Sequence, residues 1–122
     1  MRKDKKISNI IEALSKHENE EAVKVLEEVG TNCSDDEIRR LTARALVNRN
    51  SEDALSVVIL QEGKGINDLN TSVAMSTINE LLALDNKDRA MRVLTKAEEE
   101  ETFAQGVRDT ARSVRALMAF SS

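Results

Sequence analysis

Few side chains in this sequence could carry out chemistry. It contains one histidine, His17, and one cysteine, Cys33. It therefore lacks the histidines for a metal site and the partners for a Ser–His or Cys–His nucleophile, and an internal disulfide is excluded. His17 is expected either to cap a helix or to lie in the turn between the first two helices. Cys33 precedes a predicted helix start, where a thiol can be activated, but an inert cysteine is the favoured interpretation.

Two further patterns fall short of a catalytic or ligand motif. The Gly63-Lys64-Gly65 turn is too short to cradle a phosphate and lacks the Ser or Thr that follows in such loops. The four glutamates at 98–101 cannot all face one direction on a helix, so a solvated helix end is favoured over a metal site. The sequence therefore predicts a non-enzymatic protein with no cofactor and no metal.

The charge balance argues against nucleic acid as the main partner. The 122 residues include 18 basic and 22 acidic side chains, a net charge of -4, and neither half of the chain is basic. Nucleic-acid-binding proteins usually present a cationic field, so such a role would need a local patch. Arg108, Arg112 and Arg115 share one side of the last predicted helix and are the candidate phosphate-binding ridge. A charged outer surface that closes the fold is the favoured interpretation of this ridge.

The elements that must position these residues are helices. The sequence has no Pro, Trp or Tyr, two Phe and four Gly, which argues against a β-rich chain. Apolar residues recur at helical spacing nearly throughout. Gly30 is the predicted end of the second helix, Ser34 to Glu37 the capping box of the third, and Asn70 or Thr71 the cap of the fifth. The segment 66–70 is the longest predicted loop.

The predicted hairpins repeat. Ala22, Ala54 and Ala90 anchor three short helices at intervals of 32 and 36 residues, a valine follows each anchor by three positions, and a leucine precedes it by eight. A unit near 34 residues with two helices is typical of α-solenoids, in which each hairpin buries its apolar flank on its neighbour. The predicted fold is all-α, a right-handed α-α superhelix (short α-solenoid). It forms one domain over 1–122, with units at about 5–30, 34–62 and 71–101 and a closing helix at 103–120.

Two segments carry a family resemblance. Residues 37–46 and 106–117 place an apolar-Arg pair before an Ala-Leu pair, and in this they resemble the first helix of HEAT-like repeats of the PBS-lyase type. The third unit, with Val73-Ala74, lacks the Arg. Tetratricopeptide-like repeats are the second choice, because their period is similar. They expect a small residue twelve positions before the anchor and a Pro near the end of the unit, where this chain has Ile10, Thr42 and Ile78 and no Pro.

The HEAT-like resemblance implies binding rather than catalysis. Such arrays bind another protein along a concave face lined by the second helices, which predicts an adaptor, assembly factor or chaperone. The candidate contact residues are acidic in the first unit and basic in the third, and solvated helix faces are the equally open alternative. They are Glu20, Glu21, Lys24, Glu27 and Glu28 in the first unit and Lys87, Asp88, Arg89, Arg92 and Lys96 in the third.

Other interpretations stay open. The resemblance also includes accessory proteins related to bilin lyases. Nucleic-acid binding through the Arg108, Arg112 and Arg115 ridge is a further alternative, although the chain lacks the Trp and Tyr that stack on bases. Self-association through the C-terminal helix would follow if Phe103, Met118 and Phe120 were exposed. The start of the chain has no signal-peptide core or membrane span, so a cytoplasmic protein without a membrane partner is expected.

Overall fold

The described chain is helical throughout. A computed structural model describes the backbone of residues 2–121 and the side chains of residues 5–120. Within these residues there are seven α-helices, one short 3-10 helix and no strand, which confirms the all-α prediction. The elements are α1 (Arg2–Lys16), α2 (Glu21–Asn32), α3 (Asp36–Arg49), α4 (Glu52–Leu60), the 3-10 helix Gly65–Asn67, α5 (Thr71–Leu82), α6 (Asp88–Glu99) and α7 (Gln105–Ser121).

Several helices pack on the helix two places along the chain. Helix α3 lies between α1 and α5, and α4 packs against α6. Helix α2 packs chiefly on α3 and meets α4 over a smaller area, while α7 packs on α6 and, less extensively, on α5. Consecutive helices also contact each other in the first two hairpins. Thus α1, α3 and α5 pack in succession and α4 packs on α6, whereas α2 and α7 pack chiefly on a helix next to them in sequence.

One aliphatic core runs through these contacts. The anchor residues Ala22, Ala54 and Ala90 are all buried, which lets their helices approach neighbours closely. Val57 and Val93 are buried as well, but the corresponding Val25 of α2 is 44% exposed. The largest fully buried side chains come from five of the helices and belong to this core: Leu26, Leu55, Ile59, Leu81, Leu94 and Met118.

The helix starts follow the predicted capping chemistry, with one correction. The Asn70 side chain accepts a hydrogen bond from the backbone N–H of Val73 at 3.2 Å and so caps α5, as predicted. The prediction of a capping box that begins at Ser34 is wrong. Asp35 is the cap and accepts from the N–H of Glu37 at 2.9 Å, while the Glu37 side chain binds Arg40 instead of the cap. A short carboxylate one residue later satisfies the same free amide, so α3 starts at Asp36.

Gly30 does not end α2, which contradicts the sequence prediction. The helix continues to Asn32, and a Cβ placed on Gly30 would lie 3.1 Å from Cγ2 of the buried Thr42. The missing side chain therefore serves the close approach of α2 to α3 rather than a helix end. The predicted loop at 66–70 is also shorter than expected, because the 3-10 helix extends into it.

The structure corrects the expectation that Phe103, Met118 and Phe120 are all exposed. Met118 is buried with Val107, Ala111 and Val114 on the inner face of α7, and Phe103 packs partly against the core. Of the three residues considered for self-association, Phe120 is the one that is largely exposed. The spacing of four, three and four residues along the inner face assigns Met118 to the core. None of the described helices is both long enough and apolar enough to cross a membrane.

Candidate interaction surface and its polar edges

The turns within the three hairpins meet along one side of the molecule. We call the turns at 17–20, 50–51 and 83–87 the turn edge. Arg49, at the end of α3, donates from its guanidinium to the backbone carbonyls of Leu14 at 2.8 Å and Asn19 at 3.3 Å, and also to the carbonyl of His17. Its side chain is 5% exposed and is paired with Glu20 at 3.3 Å. Arg49 thus ties the second hairpin to the turn of the first.

Asn50 makes the next link of the turn edge. It ends α3 in the left-handed conformation, with φ 49°, and its side-chain amide donates to the carbonyl of Asn86 at 3.0 Å. Its own carbonyl accepts from Arg89 at 2.6 Å. Glu20 also accepts from the Ser51 hydroxyl at 3.2 Å. The three turns are therefore joined in chain order by hydrogen bonds between successive hairpins.

The loops between hairpins, at 33–35 and 61–70, meet on another side of the molecule. We call this side the loop edge. Arg39 of α3 binds Asp68, whose side chain is 3% exposed. The Asn70 amide donates to the Asp36 carboxylate at 2.7 Å. Lys64 pairs with Glu27 of α2 at 3.3 Å. The loop after α4 is thus bonded to both α2 and α3.

Some of the predicted acidic contact residues take part in the polar contacts of these two edges. Glu20 and Glu27 are both engaged between hairpins, and Glu21 pairs with Lys24 at 3.9 Å along α2. Glu28 is exposed, and its side chain forms no hydrogen bond or ion pair with another described residue. The first unit therefore offers an acidic surface in which Glu21 and Glu28 are the most available carboxylates.

Some of the predicted basic contact residues are likewise bonded within the molecule, while others are not. Lys87 donates to the Leu84 carbonyl at 2.9 Å, and Arg89 is bonded to Asn50. Arg92 and Lys96, one turn apart on α6, are exposed, and their side chains form no hydrogen bond or ion pair within the described part of the chain. A polar cavity of about 180 Å³ opens beside Arg92 at the turn edge. Arg92 and Lys96 are therefore the cations of this set that are available to a partner.

The C-terminal arginine ridge converges on one glutamate. Arg108 lies 3.3 Å from the Glu98 carbonyl oxygen, and Arg112 lies 3.3 Å from the Glu98 carboxylate. Arg115 binds both oxygens of that carboxylate. The Arg115 hydrogen bond lowers the pKa of Glu98 and in turn raises the pKa of Arg115. The ridge is thus engaged with α6, and Glu98 is the member of the 98–101 run that joins the last two helices.

The Glu98 contact predicts a pH dependence. Because its folded pKa is lowered, this carboxylate stabilises the fold above the ordinary glutamate pKa of about 4.3, and the contribution is lost as pH falls through the lowered value. We expect Glu98→Gln to flatten the acid side of the curve of unfolding free energy against pH. Urea unfolding at a series of pH values measures this. Glu101→Gln is the matched control, and an equal change in both variants would contradict the assignment.

An amphipathic pocket of about 280 Å³ lies where α2, α3 and the loop after α4 meet. Its floor includes Leu26, Leu46 and Val57, and Cys33 contributes to its wall. Cys33 is half-buried at the end of α2. His17 lies in the first turn, as predicted, and its Nδ1 accepts from the N–H of Asn19 at 3.1 Å.

The sequence prediction did not include the pocket, Arg49 or the Arg39–Asp68 pair. Asp68 follows Arg39 by 29 positions and Arg49 follows Asn19 by 30, so the spacing of about one repeat was the available signal. The described residues contain no group of three or more His, Cys, Asp or Glu side chains that could hold a metal ion. No protein-family model matches the chain, and no curated protein and no solved structure is significantly similar to it.

Proposed function

We propose that this chain is a short HEAT-like α-solenoid that acts as a non-enzymatic protein–protein interaction module. The observation that carries the proposal is the turn edge. Arg49, Asn50 and Arg89 join equivalent turns of successive hairpins, which is the relation expected when hairpins stack in chain order. In a compact bundle, such equivalent turn-to-turn bonds have no reason to recur.

The helix contacts support the same arrangement. Helices α1, α3 and α5 pack in succession, so first helices meet first helices, and the second helix α4 packs on α6 and, over a smaller area, on α2. The anchors Ala22, Ala54 and Ala90 occupy the same buried place near the start of the second helices. A stack of this kind leaves the outer sides of α2, α4 and α6 as one continuous surface for a partner.

The charges on that surface favour an oriented protein partner. Helix α2 presents Glu21 and Glu28, while α6 presents Arg92 and Lys96. A partner with the opposite order of charges would be steered into one register, since electrostatic complementarity gives specificity and association rate. The surface therefore supports the adaptor, assembly-factor or chaperone role.

The alternatives have less support. A nucleic-acid role would use Arg108, Arg112 and Arg115, whose guanidinium groups are engaged with Glu98. A role related to bilin lyases has only the resemblance of the two repeat segments in its favour. The interaction module is thus the function we propose.

Charge reversal on α6 tests the proposal. We expect Arg92→Glu combined with Lys96→Glu to leave the helical circular dichroism unchanged and to lower capture of native partners by at least about ten-fold, because each exposed ion pair lost is worth up to about 1 kcal/mol and like charges then repel. Quantitative mass spectrometry of affinity-purified complexes measures the loss.

Lys5→Glu with Lys6→Glu on α1 makes the same change in net charge and serves as the control. If the α6 variant captured the same proteins in the same amounts as wild type, the proposed surface would be wrong.

A further inference from the structure

The pocket at the loop edge has the size of a site for one side chain. Its volume of about 280 Å³ is just below the range for small-molecule and cofactor sites, which is about 300–1,000 Å³. Residues of α2, α3 and α4 and of the loop after α4 line it. The pocket therefore borders α2 and α4, two of the helices that contribute to the proposed partner surface.

The floor of the pocket suits an aliphatic chain. Leu26, Leu46 and Val57 line it, and all three are buried. Gly30, which has no side chain, also lines the pocket. Because the three floor side chains are already shielded from water, an aliphatic stem placed here would gain chiefly by removing its own apolar surface from water.

The charged groups that line the pocket leave an excess of negative charge. Arg39 is bonded to Asp68, and Lys64 is bonded to one carboxylate oxygen of Glu27, Oε2. Glu62 forms no hydrogen bond or ion pair with another described residue. Glu62 and the second oxygen of Glu27 are thus available to a cation that enters the pocket.

We propose that the pocket binds a lysine or arginine side chain from a basic segment of the partner protein. The aliphatic stem lies on Leu26, Leu46 and Val57, and the cationic head binds Glu62 and Glu27. Long basic side chains bury their stems in this way while the charged group stays at the surface. This site deepens the interaction function proposed above and rests on it, because it assigns one anchoring contact of the same partner.

Cys33 supplies the test, since it lines the pocket and is the sole cysteine of the chain. The probes are three short capped peptides that are identical except for a central lysine, norleucine or glutamate. The rate of Cys33 alkylation by N-ethylmaleimide, followed by intact mass, reports occupancy. We expect the lysine peptide to bind about five-fold more tightly than the norleucine peptide, because one exposed ion pair contributes up to about 1 kcal/mol. At equal subsaturating concentration, the lysine peptide should therefore slow the alkylation of Cys33 more than the norleucine peptide does. The glutamate peptide should not protect.

Variants define the cation site. Glu62→Gln should lower the advantage of lysine over norleucine, while Glu28→Gln, whose residue does not line the pocket, should leave it unchanged. Equal protection by lysine and norleucine would exclude the cation site. Protection by the glutamate peptide would assign the pocket to an anion through Arg39 and Lys64, and no protection by any peptide would exclude a side-chain site.

The outcome is separable from that of the proposed function. Partner capture that depends on Arg92 and Lys96, without peptide protection of Cys33, would overturn the pocket assignment alone. Protection by the lysine peptide together with unchanged capture by the α6 variant would overturn the α6 surface and keep the pocket.

Discussion

Gly65→Ala is expected to destabilise the protein by about 3 kcal/mol or more, because two costs coincide at this residue. Gly65 has φ +57°, a conformation that side chains with a Cβ rarely adopt. The added Cβ would also lie 2.3 Å from the backbone oxygen of Val58 in α4. Backbone atoms of a helix cannot move aside as a side chain can, so the loop would have to shift. Urea unfolding followed by circular dichroism measures the change.

Gly63→Ala is the matched control for this prediction. Gly63 has φ +75°, but nothing lies within 4 Å of an added Cβ. The substitution should therefore cost about 1 kcal/mol from backbone strain alone. Equal losses of stability in the two variants would show that the contact with Val58 contributes nothing.

Leu55→Ala is expected to cost about 3 kcal/mol, since it removes a completely buried side chain from the centre of α4 and leaves a cavity. Leu55 is 0% exposed and belongs to the core that joins the hairpins. Because α4 contacts both α3 and α6, the loss should lower the midpoint of the whole unfolding transition. Thermal and urea unfolding by circular dichroism give this midpoint.

Leu69→Ala is the control for the core substitution, since it changes the same residue type in the same way. Leu69 precedes α5 and is 94% exposed. Its truncation should change the free energy of unfolding by less than about 0.5 kcal/mol. A loss comparable to that of Leu55→Ala would contradict the assignment of the core.

The helices could be predicted from the sequence because their signals are local. Apolar spacing identified the helices, and the Asn70 side chain capped α5 as its type predicts. Gly30 was misassigned because a glycine that ends a helix and one that lets another helix approach look alike in sequence. Only the position of Thr42, twelve residues later, distinguishes them. Ser34 was misassigned because Ser34, Asp35 and Asp36 are all residue types that can cap a helix, and the structure has Asp35 in that position.

The candidate site was less predictable because it depends on pairings across the repeat. The charge of Arg92 and Lys96 on α6 was recognised from sequence, and the structure leaves both side chains exposed. Glu98 looked like one of four equivalent glutamates, yet it alone receives the arginines of α7. The pocket at the loop edge combines residues from α2, α3 and a later loop, so no single segment carries its pattern.

The interior and the edges of this protein differ in the hydrogen bonds that they form between distant parts of the chain. Thr42 and Thr77 are the two buried polar residues in the described chain, and each hydroxyl donates to a carbonyl four residues back in its own helix. Neither hydroxyl requires an acceptor on an adjacent helix, so interior polarity does not fix how far one helix slides along the next. Arg49, Asn50 and Arg39, at the two edges, instead make hydrogen bonds to residues 29 to 36 positions away in sequence. A redesigned core of equal volume would therefore keep these hydrogen bonds between distant parts of the chain, whereas removal of the polar side chains at the edges would lose them.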